Sequence, residues 1–163
     1  MDVSAAIENR RSIRKYQAKP LSEEDMAKLL AAARLSPSAR NDQARKLLVV
    51  TDEQIKAELV AACKNQGFVK ECAAVFIAVH NPEKRWSAED CVIMLDHVSL
   101  QAAELGIGSC WIGAFEEDKV KAVVGIPAEM RVAICMTIGY PDEAPAARPR
   151  KDLQEIVCWQ KYQ

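Results

Sequence analysis

No apolar run in this chain approaches the roughly 18 residues that indicate a membrane-spanning helix. The opening stretch, MDVSAAIENRR, carries an acid at position 2 and has no apolar core, which argues against a secretory signal. A broad basic field is missing too, because charges of both signs are interspersed and the formal net charge is −1. We therefore expect a cytoplasmic protein with one domain, residues 1–163, that binds neither nucleic acid nor membrane.

Clustered metal ligands and catalytic triads are also missing. The six cysteines are widely spaced without a CxxC pair, and the two histidines, His80 and His97, lie far from any pair of cysteines. Because a zinc site requires clustered cysteine and histidine, we expect no metal. Each cysteine lies among apolar residues, which predicts reduced, buried thiols. Neither a Ser-His-Asp nor a Cys-His arrangement is apparent, so we interpret both histidines as structural.

Apolar periodicity alternates between helical and strand patterns along the chain. A first helix is predicted to begin near Asp2 or Ser4. Four more are predicted at about 22–35, 53–65, 87–106 and 116–125, with capping-box spacing at Ser22/Asp25 and Ser87/Asp90. Strands are predicted at 46–51, 73–80 and 131–140, the last of them interior because its centre is fully apolar. Residues 37–42 read as a turn, 109–115 as a short strand or turn, and the tail as a helical turn with a strand-like end. This alternation predicts a layered α/β protein around a central sheet.

Cations are concentrated in two short stretches. Residues 9–16, NRRSIRKY, hold Arg10, Arg11, Arg14 and Lys15, and residues 147–151, ARPRK, hold Arg148 and Arg150. If a helix continued through the first stretch, each pair of like charges one turn apart would cost about 0.2–0.5 kcal/mol. In an extended segment Arg148 and Arg150 share one face, and with Arg10, Arg14 and the Ser12 hydroxyl they could converge on one phosphate. The alternative is two solvated basic patches that never meet.

The glycine-rich stretch GIGSCWIGAF, residues 106–115, fits neither common nucleotide motif. After Gly106 and Gly108 the third glycine comes two positions late for a dinucleotide fingerprint, and the stretch follows a helix rather than a strand. Ala114 and Phe115 occupy the positions where a P-loop needs lysine and then serine or threonine. What remains is a backbone that a flat ligand can approach closely.

A third stretch, SPSARNDQ at residues 36–43, is rich in polar groups. Pro37 fixes the backbone, while Ser38, Asn41 and Gln43 offer hydroxyl and amide groups suited to the edge of a heterocycle. Taken by itself, the stretch equally fits a turn stabilised by asparagine and aspartate side chains.

Taken in order, these stretches resemble the FMN-dependent nitroreductase family in its short single-domain form. The resemblance is carried by RRSIRKY, LLAAARLSPSARNDQ, LLVVTD, GIGSCWIGAF and IGYPDEAPAARPRKDLQEIV, over about residues 7–157. It implies an α+β fold, a three-layer α/β sandwich whose central mixed sheet is flanked by helices. It also implies an intertwined homodimer with FMN at the interface and with tails that cross onto the partner, for which VCWQKYQ is suitable.

The resemblance implies roles for particular residues. Arg10, Ser12, Arg148 and Arg150 would hold the FMN phosphate with a contribution from Arg11, and Arg14 would stabilise the negative charge of the reduced flavin. Pro37, Ser38, Ala39 and Asn41 match the motif that covers the flavin from the partner subunit. Ile112, Gly113 and Ala114 match the segment against the reactive side of the ring, and Gln66 matches an amide that faces it.

The chain departs from the family at one point in this pattern. The family usually has Pro-Trp after Asn-x-Gln, whereas this chain has Ala44 and Arg45. We expect looser packing beneath the flavin there, or a more open substrate side. Phe68 and Trp86 are candidates to line the open face.

The implied function is that of an FMN-dependent NAD(P)H oxidoreductase. NADH or NADPH would pass hydride to flavin N5 and leave, and a nitroaromatic, a quinone or a similar small electron acceptor would take its place in a ping-pong scheme. Two alternatives stay open, a non-catalytic FMN carrier or sensor and a reductive dehalogenase-type flavoenzyme on the same fold. A nucleic-acid-binding module has little support, because base-stacking aromatics do not interleave with the cations.

Overall fold

The computed structural model describes residues 2–162. Its strands are β1 (Arg45–Val50), β2 (Ala74–His80), β3 (Gly108–Ile112) and β4 (Arg131–Gly139). Its helices are α1 (Val3–Asn9), α2 (Glu23–Leu35), α3 (Glu53–Ala62), α4 (Phe68–Glu71), α5 (Ser87–Glu104), α6 (Glu117–Val124) and α7 (Leu153–Ile156), with a 3-10 turn at Ala39–Asn41. The three predicted strands are confirmed with boundaries that differ by one residue at most, and the stretch 109–115 contains most of β3.

The four strands lie in the order β1-β2-β4-β3, and each pairing among them is antiparallel. β4 is therefore interior, as its apolar centre predicts. The mixed sheet implied by the resemblance is corrected on this point. β2 and β3 run in the same direction after the crossover through α5, but β4 lies between them, so they do not pair. Parallel pairing is limited, within residues 2–162, to the isolated bridge between Ser12 and Ser109.

Alternation along β2 distributes its side chains between two cores. Val75 and Ile77 belong to a buried cluster shared with α3, α4 and α6. Phe76 and Ala78 belong to a second cluster shared with α2 and α5, and α1 packs against α5 in the same layer. Because successive side chains of a strand point to opposite faces, one strand serves both cores. The predicted three-layer sandwich is confirmed.

Polar side chains cap the starts of three helices. Asp2, Ser22 and Asp52 each accept a hydrogen bond from the backbone N–H three residues further on, at the starts of α1, α2 and α3. The predicted capping box at Ser87 and Asp90 is corrected, because the N-cap of α5 is Trp86 and no side chain of residues 2–162 caps this helix. Ser87 instead donates to the carbonyl of Asn81 at 2.6 Å.

Left-handed backbone ends several helices where the sequence predicts an end. Gly106 and Gly125 follow α5 and α6 with φ of 71° and 69°, a conformation that glycine adopts without strain. The helix predicted to reach residue 65 ends earlier, because Lys64 and Asn65 also have positive φ, 55° and 58°. In the tail, α7 confirms the helical turn, whereas residues 157–162 form no strand and residue 163 lies outside the described part. Within residues 2–162, no helix is both long and apolar enough to cross a membrane.

Five of the six cysteines are buried free thiols, and Cys158 in the tail is exposed. Burial raises the pKa of the Cys63 thiol to about 11 and those of Cys72 and Cys91 to about 12. Because the thiolate is the reactive form, we expect a thiol-specific reagent near neutral pH to modify at most one cysteine of the native protein. A chromogenic thiol count before and after unfolding measures this. Rapid modification of two or more native thiols would contradict it.

Candidate functional site

The basic stretch at residues 9–16 is extended rather than helical. α1 ends before Arg10, which has φ −57° and ψ 129° at the C-cap. Ser12 then forms the parallel bridge with Ser109 at the start of β3. The possibility of a helix that continues through residues 9–16, considered from the sequence, is corrected by the structure. The repulsion between cations one helical turn apart therefore does not arise. In an extended segment, Arg10, Ser12 and Arg14 share one face because successive side chains alternate.

A close approach of two backbones fixes this stretch against β3. The Ile13 N–H donates to the Ser109 carbonyl at 2.9 Å. A Cβ placed on Gly108 would lie 2.8 Å from the Ile13 side chain, and Ile13 is itself buried in the core. Gly108 is therefore required by space, because only a residue without a side chain leaves room for Ile13.

We expect Gly108→Ala to lower the free energy of unfolding by about 1–3 kcal/mol, the usual cost of overpacking a core. Urea unfolding measures this difference. The matched control is Gly67→Ala, since a Cβ at Gly67 meets no described residue within 4 Å. Equal stability of the two variants would show that Ile13 can move aside.

One cavity of about 360 Å³ joins the two basic clusters. Six predicted site residues line it: Arg10, Arg11, Ser12 and Arg14 from the first cluster, and Arg148 and Arg150 from the second. Ile7, Glu8 and residues 145–147 complete the wall. The alternative of two basic patches that never meet is excluded. This arginine cavity is the principal candidate site.

Arg10, which lines the arginine cavity, carries an unsatisfied donor. Its Nη1 is buried and has no hydrogen-bond partner within residues 2–162. A buried donor left in this state costs about 1–3 kcal/mol unless a ligand supplies an acceptor. Arg11 differs, because its Nη1 donates to the carbonyls of Glu8 at 2.6 Å and Arg10 at 3.0 Å. Arg10 therefore carries a cationic donor without an acceptor among the described residues, and its neighbour Arg11 fixes the end of α1.

The positive field of the cavity extends to the neighbouring strand. Burial raises the pKa of the Cys110 thiol in β3, and the nearby cations Arg14 and Arg10 oppose that rise. Glu143 was not among the residues predicted for the site, and its Oε1 accepts from the backbone N–H of Arg14. Glu143 also lines an adjacent cavity of about 330 Å³ together with Arg10. Its role depends on a contact between distant parts of the chain, which no local pattern reveals.

The predicted ring-contacting residues come together at the end of β3. Ile112 is buried, whereas Gly113 and Ala114 are exposed just beyond the strand. The Gln66 amide nitrogen donates to the Ala114 carbonyl at 3.2 Å and to the Cys63 carbonyl at 2.9 Å. The structure thus joins the predicted amide to the predicted backbone segment, outside the lining of the arginine cavity.

The remaining predicted residues, Pro37, Ser38, Ala39 and Asn41, form a separate group in the loop between α2 and β1. They lie outside the lining of the arginine cavity. Ala39 lines another cavity, of about 270 Å³, together with Trp86. Trp86 is 48% exposed, whereas Phe68 packs against the core. Within one chain, therefore, this loop does not complete the arginine cavity.

Comparison with known proteins places the chain in a family. A family profile described as "Putative TM nitroreductase" matches residues 2–163. The chain belongs to the nitroreductase family. Among its relatives is a "Putative NADH dehydrogenase/NAD(P)H nitroreductase" of Archaeoglobus fulgidus, 33% identical over 84% of this chain and 84% of that protein. An "NADPH-flavin oxidoreductase" of Vibrio harveyi is 28% identical over 94% of this chain and 71% of that protein.

Solved structures of nitroreductases and flavin oxidoreductases superpose closely on this chain. An "FMN-dependent Nitroreductase" from Clostridium difficile R20291 superposes with a TM-score of 0.89 and 27% identity, over 98% of this chain and 99% of that one. An NADPH:FMN oxidoreductase from Vibrio harveyi in complex with NAD+ superposes with a TM-score of 0.92 and 26% identity, over 99% of this chain and 78% of that one. The nitroreductase fold expected from the sequence is confirmed.

Proposed function

We propose that this member of the nitroreductase family is a single-domain FMN-dependent NAD(P)H oxidoreductase of small acceptors such as nitroaromatics and quinones. The observation that carries the proposal is the arginine cavity, lined by Arg10, whose buried Nη1 has no acceptor within residues 2–162. A phosphate group supplies acceptors of the required charge. Relatives named for FMN support the same cofactor here. We place the enzyme in the cytoplasm, where its free cysteines stay reduced.

The residues of the arginine cavity fit the phosphate of FMN. Arg10 contributes the buried Nη1, and Ser12 contributes a hydroxyl from the same face of the extended stretch. Arg148 and Arg150 are exposed where they line the cavity. Arg150 Nη1 donates to the carbonyls of Arg148 and Pro149 at 3.2 and 3.3 Å, so Arg150 contributes its remaining donors, whereas Arg148 can present a planar fork to two phosphate oxygens. Arg11 contributes by fixing the end of α1, because its guanidinium already donates to two carbonyls.

When bound, FMN supplies the redox chemistry, accepting hydride from NADH or NADPH and passing it to the oxidant. Arg14 holds a positive charge at the same site, and such a preorganised charge stabilises the anionic reduced cofactor. Gly113 and Ala114 present little side chain, so a flat ring can lie against their backbone. Gln66 is oriented by its two carbonyl acceptors, and its Oε1 is an acceptor that a ligand could use.

We further propose a homodimer in which the loop at residues 36–43 of one subunit covers the flavin of the other. Apolar side chains exposed on the α1, α2 and α5 layer support this: Val3, Ile7, Leu30, Leu35, Val92 and Ile93. The tail adds Leu153, Ile156, Trp159 and Tyr162. Exposed apolar surface on this scale is typical of a protein–protein interface. A tail that crosses onto the partner would cover part of it.

The visible spectrum of the protein reconstituted with FMN, recorded during anaerobic addition of NADH and then NADPH, tests the proposal. We expect the bound flavin to lose its colour within the mixing time with at least one of the two nicotinamides. A bound flavin that stays oxidised with both would favour a carrier. No bound flavin at all would overturn the proposed cofactor.

Steady-state kinetics test the proposed order of events. Since one site serves the reductant and the oxidant in turn, double-reciprocal plots at several oxidant concentrations are expected to be parallel. Menadione is a suitable quinone oxidant for this measurement. Intersecting lines would show that both substrates are bound together and would contradict the ping-pong scheme.

A further inference from the structure

The loop at residues 36–43 is held in a strained backbone conformation. Arg40, Asn41 and Gln43 have φ of 54°, 56° and 49°, in the left-handed region that costs a non-glycine residue about 1–2 kcal/mol. The Gln43 N–H donates to the Ser38 hydroxyl oxygen at 3.1 Å, which closes the loop on itself. Strain of this kind persists only where neighbouring contacts enforce it, and it is concentrated at ligand-binding segments.

Arg45, the first residue of β1, holds the start of this loop. Its Nη2 donates to the carbonyl and the hydroxyl of Ser36, at 2.6 and 2.8 Å. Its Nη1 donates to the carbonyl of Pro37 at 2.8 Å and to that of Asp90 at 2.6 Å. One planar guanidinium thus ties the start of the loop to the first turn of α5.

Asp90 fixes the middle of the same loop. Its carboxylate Oδ1 accepts from the Ala39 N–H at 3.0 Å, and the residue is only 5% exposed. Asp90 lies in the first turn of α5, where the helix dipole stabilises a negative charge. Because Arg45 binds the carbonyl of this residue, the loop start, Arg45 and the first turn of α5 form one hydrogen-bonded unit.

We infer that Arg45 is a positioning residue, which holds the loop at residues 36–43 in the conformation that covers the flavin. The inference rests on the proposed function. Where the family usually has the ring of a tryptophan, this chain has a guanidinium with four directed hydrogen bonds. The looser packing expected from the loss of that ring is offset by these bonds. Arg45 needs no contact with the flavin to act in this way.

The inference is tested with Arg45→Ala and Arg45→Lys, and with Lys46→Ala as the matched control, since Lys46 is an exposed neighbour in β1. The first readout is hydrogen exchange of the Ala39 and Gln43 amides in FMN-free protein. We expect both amides to lose most of their protection in Arg45→Ala, as they would if only about one molecule in ten kept the covering conformation, with β4 amides unchanged because opening is local. Arg45→Lys is expected to exchange as fast as Arg45→Ala, since lysine lacks the fork. The control is expected to match the wild type.

The second readout is the FMN dissociation constant. If the covering conformation becomes tenfold rarer, the apparent dissociation constant of Arg45→Ala rises about tenfold. Added guanidinium ion at low concentration is expected to restore the affinity of Arg45→Ala and to leave the control unchanged. Unchanged exchange in Arg45→Ala, or faster exchange with unchanged FMN affinity, would overturn the inference and leave the proposed function intact. Wild-type protein that bound no FMN would overturn the proposed function instead.

Discussion

Arg10→Met is expected to weaken FMN binding by about 10- to 100-fold while it stabilises the FMN-free protein by about 1 kcal/mol. Both effects follow from one atom, the buried Nη1 without a partner within residues 2–162. In the FMN-free protein, removing this atom removes the free-energy cost of a buried donor without a partner. In the complex, removing it loses charge-assisted hydrogen bonds worth about 1.5–3 kcal/mol. An arginine that only packs would change both quantities in the same direction.

Two titrations and an unfolding curve check this prediction. FMN binding is compared with riboflavin binding, because riboflavin lacks the phosphate, and only FMN affinity is expected to fall. Arg34→Met is the control, since Arg34 is exposed in the last turn of α2. If Arg10→Met weakened both ligands equally, Arg10 would not be a phosphate ligand. Destabilisation of the FMN-free protein would contradict the cost assigned to its unsatisfied donor.

The protein is expected to elute with twice its 18.1 kDa chain mass, and Ile93→Asp is expected to break this dimer. Ile93 is 37% exposed beside Val92 on the outer face of α5. A symmetric interface buries the new charge twice, and an unpaired buried charge costs about 3–5 kcal/mol. That cost raises the dimer dissociation constant by roughly 100-fold or more. FMN affinity is expected to fall with it, because the loop at residues 36–43 would no longer reach the flavin of the partner.

Light scattering with simultaneous flavin absorbance measures mass and occupancy in one run. Ala122→Asp is the control, because Ala122 is exposed on α6 in the opposite helical layer and receives the same new charge. The control is expected to stay dimeric and to keep its flavin. A monomer of Ile93→Asp that retained FMN at wild-type affinity would show that the site is complete within one chain.

Local chemistry allowed much of the fold to be predicted from the sequence. The strands β2 and β4 are unbroken apolar runs, and caps at Ser22 and Gly125 mark helix ends that depend only on neighbouring residues. The capping box at Ser87 was wrong for an instructive reason. The Ser87 hydroxyl forms hydrogen bonds with Asn81 and His80. It is therefore not free to cap the start of the helix, as the local pattern predicted.

The candidate site also combines features that could be predicted from the sequence with contacts that could not. Its residue types were predicted in the two basic stretches, because arginine is suited to phosphate wherever the chain places it. Their roles toward FMN stay predictions until the variants above are measured. The contacts of Arg45 and Glu143 could not be predicted, since each side chain binds backbone far along the sequence, at Asp90 and Arg14.

By itself, the sequence determined which segments form strands and helices and which residues carry positive charge, because these properties arise within a few neighbouring residues. Only the tertiary structure decided that Arg10 and Arg148 line one cavity and that β4 separates β2 from β3. It also decided that a buried donor of Arg10 has no partner in the described part of the chain. The physical reason is that convergence and burial depend on contacts between segments up to about 140 residues apart. Bringing such segments together costs loop-closure entropy, and the packing of both cores offsets that cost.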